Sequence, residues 1–258
     1  MCRVISISSQ KGGTGKTSTC INIGAALAKE GKRVLLVDND PQGHLTIGLG
    51  FDKRQKVTLK TILENCIEEQ ELQVEEAILH HEEKLDLIPA NKSLGIMNVY
   101  LSSIPEGETI LREVLDTIRS RYDYIIIDCG PSIGMLSINA LTASDSVIIP
   151  VELDKYAVDG MEEMIRTVYL VRQKYNPSIC IGGVLYNKVE ARLNNSKGYK
   201  EALEKTYGSH IPIFRTSIPK TVRVQEAANA GISILAYEPK NECSGRYMQL
   251  IREVEGHE

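Results

Sequence analysis

Val4-Ile-Ser-Ile-Ser-Ser-Gln-Lys-Gly-Gly-Thr-Gly-Lys-Thr-Ser-Thr-Cys-Ile-Asn22 decides how the rest of the chain is read. A short apolar run ends in a glycine-rich turn, and a helical pattern begins at once. Strand, loop and helix in that order are the context a phosphate-binding loop requires. Gly12, Gly13 and Gly15 let the backbone curl until successive N–H groups face inward. The helix opening near Lys16 adds the positive end of its dipole and its unsatisfied amides. Lys16 is long enough to reach the terminal phosphates of a nucleotide, and Thr17 offers a hydroxyl for Mg²⁺. The nucleotide-binding set read from this stretch is Gly12, Gly13, Thr14, Gly15, Lys16, Thr17 and Ser18. Two features depart from the general pattern: Gln10 stands where it asks for glycine, and Lys11 is an additional lysine.

Lys11-Gly12-Gly13-Thr14-Gly15-Lys16-Thr17 resembles the deviant Walker A motif of the ParA/MinD group of ATPases. From the first strand to the last helix the chain is similar to the chromosomal, Soj-type ParA branch. The resemblance implies ATP and Mg²⁺ as cofactors, slow ATP hydrolysis with Lys11, Lys16 and Asp40 as catalytic residues, and an ATP-dependent homodimer. In that family the extra lysine, here Lys11, reaches across the dimer to the partner's phosphates. Two lysines in one tight loop repel each other unless a polyanion lies between them, so the role makes electrostatic sense.

Downstream, Arg33-Val-Leu-Leu-Val-Asp38 and Tyr122-Asp-Tyr-Ile-Ile-Ile-Asp128 are near-continuous apolar runs that end in an acid. Such runs suit parallel strands covered on both faces. Strand, helix and strand within residues 4–38 make a βαβ unit. The expected fold is α/β, a doubly wound, mostly parallel sheet with helices on both faces, of the P-loop NTPase type. A single domain over residues 1–258 is expected, because no linker is visible.

Asp38-Asn39-Asp40-Pro41-Gln42-Gly43 falls at the carboxyl end of a strand, the edge where doubly wound sheets bind ligands. By resemblance it is switch I, with Asp40 positioning the attacking water and Asp38 nearer the magnesium shell. Asp128 ends the Walker B strand beside Thr17, giving Thr17, Asp38 and Asp128 as the metal set. Cys129-Gly130-Pro131-Ser132 follows as switch II, with Gly130 where the family usually has proline. The resemblance also assigns Asn187 to adenine and the backbone near Pro219 to the other side of the base. Residues from Val57 to His81 read as helical and solvent-facing, with His80-His81 as part of a surface charge run.

Forty-two percent of residues are apolar, enough for a core, and 30 basic against 34 acidic residues give a net charge of −4. A globally basic DNA-coating protein is thereby excluded, and any nucleic-acid contact must come from a local patch. The six cysteines are scattered without metal-ligand spacing and read as reduced thiols. No signal peptide and no membrane span are expected, and the loop begins too early to leave room for an N-terminal helix-turn-helix domain.

Lys188, Arg192, Lys197 and Lys200 form one basic run, and Arg215, Lys220 and Arg223 another. By resemblance, Lys188, Arg192, Lys220 and Arg223 bind double-stranded DNA without sequence preference in the ATP dimer. The implied role is chromosome or plasmid partition with a ParB-like partner, in the cytoplasm and on the nucleoid, away from the membrane. A MinD-like membrane switch would end in a basic amphipathic helix, and this chain ends Arg252-Glu-Val-Glu-Gly-His-Glu258. A metal-cluster or metabolic P-loop enzyme is the remaining alternative. It would require paired cysteines or a small-molecule pocket.

Overall fold

The computed structural model describes residues 2–71, 74–190 and 194–256, together with the backbone but not the side chains of 194–197. The elements run β1 (Arg3–Ile7), α1 (Lys16–Lys29), β2 (Val34–Asn39), α2 (His44–Gly48), α3 (Leu59–Ile67), β3 (Leu79–His81), β4 (Leu85–Ile88), α4 (Met97–Ser102), α5 (Ile110–Ile118), β5 (Tyr124–Cys129) and α6 (Met135–Ala143). They continue with β6 (Ser146–Glu152), α7 (Ala157–Lys174), β7 (Cys180–Asn187), α8 (Asn194–Tyr207), α9 (Arg223–Asn229), α10 (Ile234–Tyr237) and α11 (Glu242–Gly256).

Among the described residues the strands form one seven-stranded sheet in the order β3-β4-β2-β5-β1-β6-β7. Every neighbouring pair is parallel except β3 with β4. Alternation along the strands divides the core between the two faces. Ile5, Ile7 and Leu36 point to the face covered by α1, α2 and α9 to α11. Val4, Leu35, Val37, Ile125 and Ile127 point to the face covered by α3 to α6. Val147, Ile149 and Val184 pack with α7 and α8. Burial on both sides explains why β2 and β5 read as continuous apolar runs.

Tyr247, Leu250, Ile251 and Val254 of α11 are buried against α1 in that first core layer. Each fully buried aliphatic side chain there contributes about 1.5–3 kcal/mol relative to exposure. No helix of the described residues is long and apolar enough to cross a membrane.

One expectation changes. The Val57–His81 segment is not one helical stretch. Its first apolar stripe, Leu59, Ile62 and Leu63, is buried on α3. The second becomes a 3₁₀ turn at Val74–Ala77, and the chain then enters β3. The open edge of β4 recruits Leu79–His81 as an antiparallel strand, so His80 and His81 alternate on a strand. His80 Nδ1 lies 2.6 Å from Asp86 Oδ1, and His81 Nε2 donates to the Gly231 carbonyl at 3.0 Å. β6 runs through Pro150 to Glu152. The missing N–H of Pro150 falls on the β1 side, past the last paired residue of β1, where no ladder bond is lost.

Candidate functional site

β1, β5 and β2 are adjacent, so their carboxyl ends and the loops that follow converge. The loop between β1 and α1 is shaped by glycines in the left-handed region, Gly13 at φ 81° and Gly15 at φ 87°. Gly15 also meets a packing limit: a Cβ there would lie 2.4 Å from Asn187 Nδ2. Asn187, at the end of β7, donates from that nitrogen to the Thr14 carbonyl at 2.9 Å and to Thr19 Oγ1 at 3.3 Å. The end of β7 therefore clamps the loop to the first turn of α1.

Lys16 is 8% exposed, and its Nζ donates back to the Lys11 carbonyl at 3.2 Å. Burial lowers the pKa of its ammonium, opposed by the charge of Asp128. Lys11 turns away from the loop and pairs with Asp154, just beyond β6.

Register places Asp38 beside Asp128 on neighbouring strands. Asp128 Oδ2 accepts from Thr17 Oγ1 at 2.7 Å. Its Oδ1 is buried and finds no donor among the described residues. Burial, reinforced by the charge of Asp38, pushes the Asp128 carboxyl well up. Asp38 is fully buried, and burial lifts it to about 6 despite bonds from Thr46 N at 2.8 Å and Thr46 Oγ1 at 2.6 Å. Two acids in a dry site, one with a free oxygen beside a threonine hydroxyl, form the oxygen-donor surroundings that fit a hard divalent cation.

Asp40 Oδ1 accepts from Gln42 N at 2.9 Å, closing the switch I turn. A Cβ on Gly130 would lie 3.4 Å from Asp40 Cγ, so the second loop runs directly past this carboxylate. Burial raises the neighbouring Cys129 thiol to about 12, leaving it an inert buried thiol.

A cleft of about 370 Å³ opens from the loop and is lined by Gly15, Ser18, Asn187, Pro219, Val224 and Gln225 among others. Asn187 and Pro219 thus share one concave surface. Val224 and Gln225, on α9, could not be found from sequence because nothing local marks them. Thr46 and Asp154 were missed for the same reason: each meets its partner only through the fold. Gln10, noted only as a departure from pattern, has a buried Nε2 without a partner among the described residues.

The basic residues behave unevenly. A bridge between Val189 and Pro219, with Lys220 N donating to the Val189 carbonyl at 3.1 Å, joins the two runs at Lys188 and Lys220. Lys188, at φ 54°, rests its Nζ on the Gly13 carbonyl at the mouth of the cleft. Lys220 pairs with Glu190. Arg223 pairs with Glu226 at 2.7 Å and Glu238 at 3.6 Å. Lys200 pairs with Glu204 at 3.6 Å. Arg192 lies outside the described residues, as does the side chain of Lys197.

Comparison with known proteins extends this picture. A family model described as an AAA domain matches residues 2–181. The sporulation initiation inhibitor protein Soj of Bacillus subtilis (strain 168) is 40% identical over 260 residues, covering 98% of each chain. The chromosome partitioning protein ParA of Caulobacter vibrioides (strain NA1000 / CB15N) is 37% identical over 254 residues, covering 98% of this chain and 93% of its own. Among solved structures, cobyrinic acid a,c-diamide synthase from Mycobacterium smegmatis with bound ADP and magnesium superposes with a TM-score of 0.83 at 31% identity, covering 100% of this chain and 97% of that one. With near-complete coverage at these identities, and with a loop carrying both Lys11 and Lys16 above paired strand-end aspartates, the chain belongs to the ParA/MinD family of deviant-Walker-A P-loop ATPases, alongside Soj and the chromosomal ParA proteins.

Proposed function

We propose that this protein is an Mg-ATP-dependent switch that dimerises on ATP, holds double-stranded DNA without sequence preference, and partitions a chromosome or plasmid with a ParB-like partner. The observation that carries the reading is the juxtaposition of Lys16, Thr17 and Asp128, with Asp40 close by, around the glycine loop. In this reading the amides from Gly12 to Ser18 cradle the triphosphate and Lys16 leaves the Lys11 carbonyl for its terminal phosphates. Thr17 and Asp128 would hold Mg²⁺, with Asp38 behind them, and the bound ion would supply neutralisation of phosphate charge. Asp40 orients the attacking water, a task of placement more than of proton transfer. Asn187 and Pro219 flank the base in the cleft. Lys11 exchanges Asp154 for the partner subunit's phosphates. DNA contacts fall to Lys188, Lys220, Arg223 and Arg192, and doubling the patch by dimerisation strengthens them.

Burial of the apolar side of α11 weighs against a membrane-associated role, since a binding helix needs that face free. The deciding experiment is the electrophoretic mobility of random duplex DNA with ATP, with ADP and without nucleotide, beside a phosphate-release assay. A shift confined to ATP is expected. Absence of both the shift and phosphate release overturns the reading.

A further inference from the structure

Asn39 lies between the two switch I carboxylates, at the end of β2, yet its side chain serves a different segment. It is 1% exposed and sits opposite Cys129 in the β2–β5 register. Its Nδ2 donates to the Leu136 carbonyl at 2.9 Å, in the first turn of α6. A carbonyl only accepts, so this bond fixes which end of the amide is nitrogen. The other end, Oδ1, is buried and has no donor among the described residues. A buried amide oxygen without a donor is costly, and each such group calls for an explanation.

The position of the amide supplies the reason. The loop 130–134 leaves β5 after Cys129 and enters α6 at Met135. Its start runs past Asp40, with Gly130 against that carboxylate. Its far end is held by Asn39 through Leu136, and by Asn98 Oδ1, which accepts from Leu136 N at 3.2 Å. Consecutive residues of switch I thus contact both ends of switch II. We propose that Asn39 is a positioning residue for ATP turnover: its amide ties the 130–134 loop to Asp40, and its free oxygen takes a backbone donor from that loop when the loop moves against nucleotide. The inference rests on the ATPase reading above. A leucine or other apolar residue at this position would fill the space and transmit nothing.

Asn39→Leu tests this, having the same branched heavy-atom skeleton and lacking both donor and acceptor. The nucleotide-free variant is expected to melt at or above the wild-type temperature, because the costly oxygen disappears along with one bond. Its amide hydrogen exchange should rise in residues 130–138 and not elsewhere. Its kcat with Mg-ATP should fall by about 5- to 30-fold while KM stays near the wild-type value. Asn39→Gln, which retains the amide, should recover part of kcat. Exchange in 130–138 that matches wild type overturns the tie. A lower melting temperature with exchange raised across the whole chain shows a simple core residue and also overturns it. Wild-type protein without ATP turnover sinks the ATPase reading instead, and the local exchange result then decides the coupling alone.

Discussion

Lys11 and Asp154 form an ion pair within one chain, so the lysine that distinguishes this loop from the general pattern points away from its own phosphate site. Both side chains are about one-third exposed, at 32% and 38%, and a pair of that kind is worth about 1 kcal/mol or less. The contact is therefore breakable by a triphosphate. Asp154→Asn, which keeps the turn bond from Tyr156 N, is expected to lower the ATP concentration needed for dimerisation by up to about 5-fold. Lys11→Ala is expected to bind ATP and remain a monomer. Sedimentation velocity across an ATP titration measures both, and normal dimerisation of Lys11→Ala would refute the cross-subunit role.

Binding and turnover should separate at Lys16 and Asp40. Lys16→Ala removes the only cation buried in the loop among the described residues, and calorimetry should then detect no Mg-ATP binding. Asp40→Ala should bind and dimerise normally but hydrolyse roughly 10²-fold more slowly. Single-turnover phosphate release gives the number, and an unchanged rate would take Asp40 out of the mechanism.

Gly15→Ala faces two obstacles at once: a left-handed backbone at φ 87° and a Cβ 2.4 Å from Asn187 Nδ2. Relief requires the loop to move off the end of β7 or the Asn187 amide to swing away and give up its bonds to Thr14 and Thr19. Nucleotide affinity should drop by roughly 10-fold or more, with the far-UV spectrum of the folded chain retained. Equilibrium binding of a fluorescent ATP analogue is the test.

Glu190 pairs with Lys220 in the resting chain, so on the proposed DNA-binding reading it would compete with DNA for that lysine. Glu190→Gln should tighten ATP-dependent DNA binding by up to about 5-fold. Lys220→Ala should reduce the slope of log K against log salt by about one. Fluorescence anisotropy at several salt concentrations distinguishes the two effects. A variant Glu190→Gln that binds no better than wild type removes Lys220 from the DNA face.

How much of this was legible beforehand follows the range of the interactions. The phosphate loop, α1, β2 and β5 could be read directly, because turn glycines, helix start and doubly buried strands each leave a local mark. β3 could not. Val74, Ala77 and Ile78 have helical spacing, and only the free edge of β4, set by tertiary structure, makes Leu79–His81 a strand. The same division runs through the site. Asp38, Asp40 and Asp128 stand at strand ends visible in sequence, whereas Asp154 meets Lys11 across 143 positions and Asn39 meets Leu136 across 97. Lys188 and Lys220 were visible as charges, but their partners, a loop carbonyl and Glu190, were not.

Acid should expose a contact remote from the site. Arg33 grips Asp123 through its backbone N at 2.8 Å, Nε at 3.2 Å and Nη2 at 2.8 Å, joining the starts of β2 and β5. Side-chain bonds from Arg33, more than its charge alone, hold the carboxyl down at about 2. A folded value below the unfolded one, near 4, gives stability that is complete above pH ~4 and lost as pH falls to about 2. Asp123→Asn should cost about 1 kcal/mol or less at neutral pH, given the exposure of the pair. Urea melts from pH 7 to pH 2 should show that gap constant at first and closing below pH ~4. A gap that persists at the acid end would contradict the assignment.

The two ends of the proposed nucleotide site are made from different material. Asp38 and Asp128 stand at the ends of two adjacent sheet strands, with Thr17 bonded to Asp128 from the first turn of α1, whereas Pro219, Val224 and Gln225 come from a connector and a short helix at the periphery. If the cleft holds the nucleobase as proposed, changes in residues 217–228 would retune base preference over evolutionary time and leave the hydrolytic end undisturbed. Drift among the strand-end groups carries no such freedom, since each also belongs to the framework on which its neighbours depend.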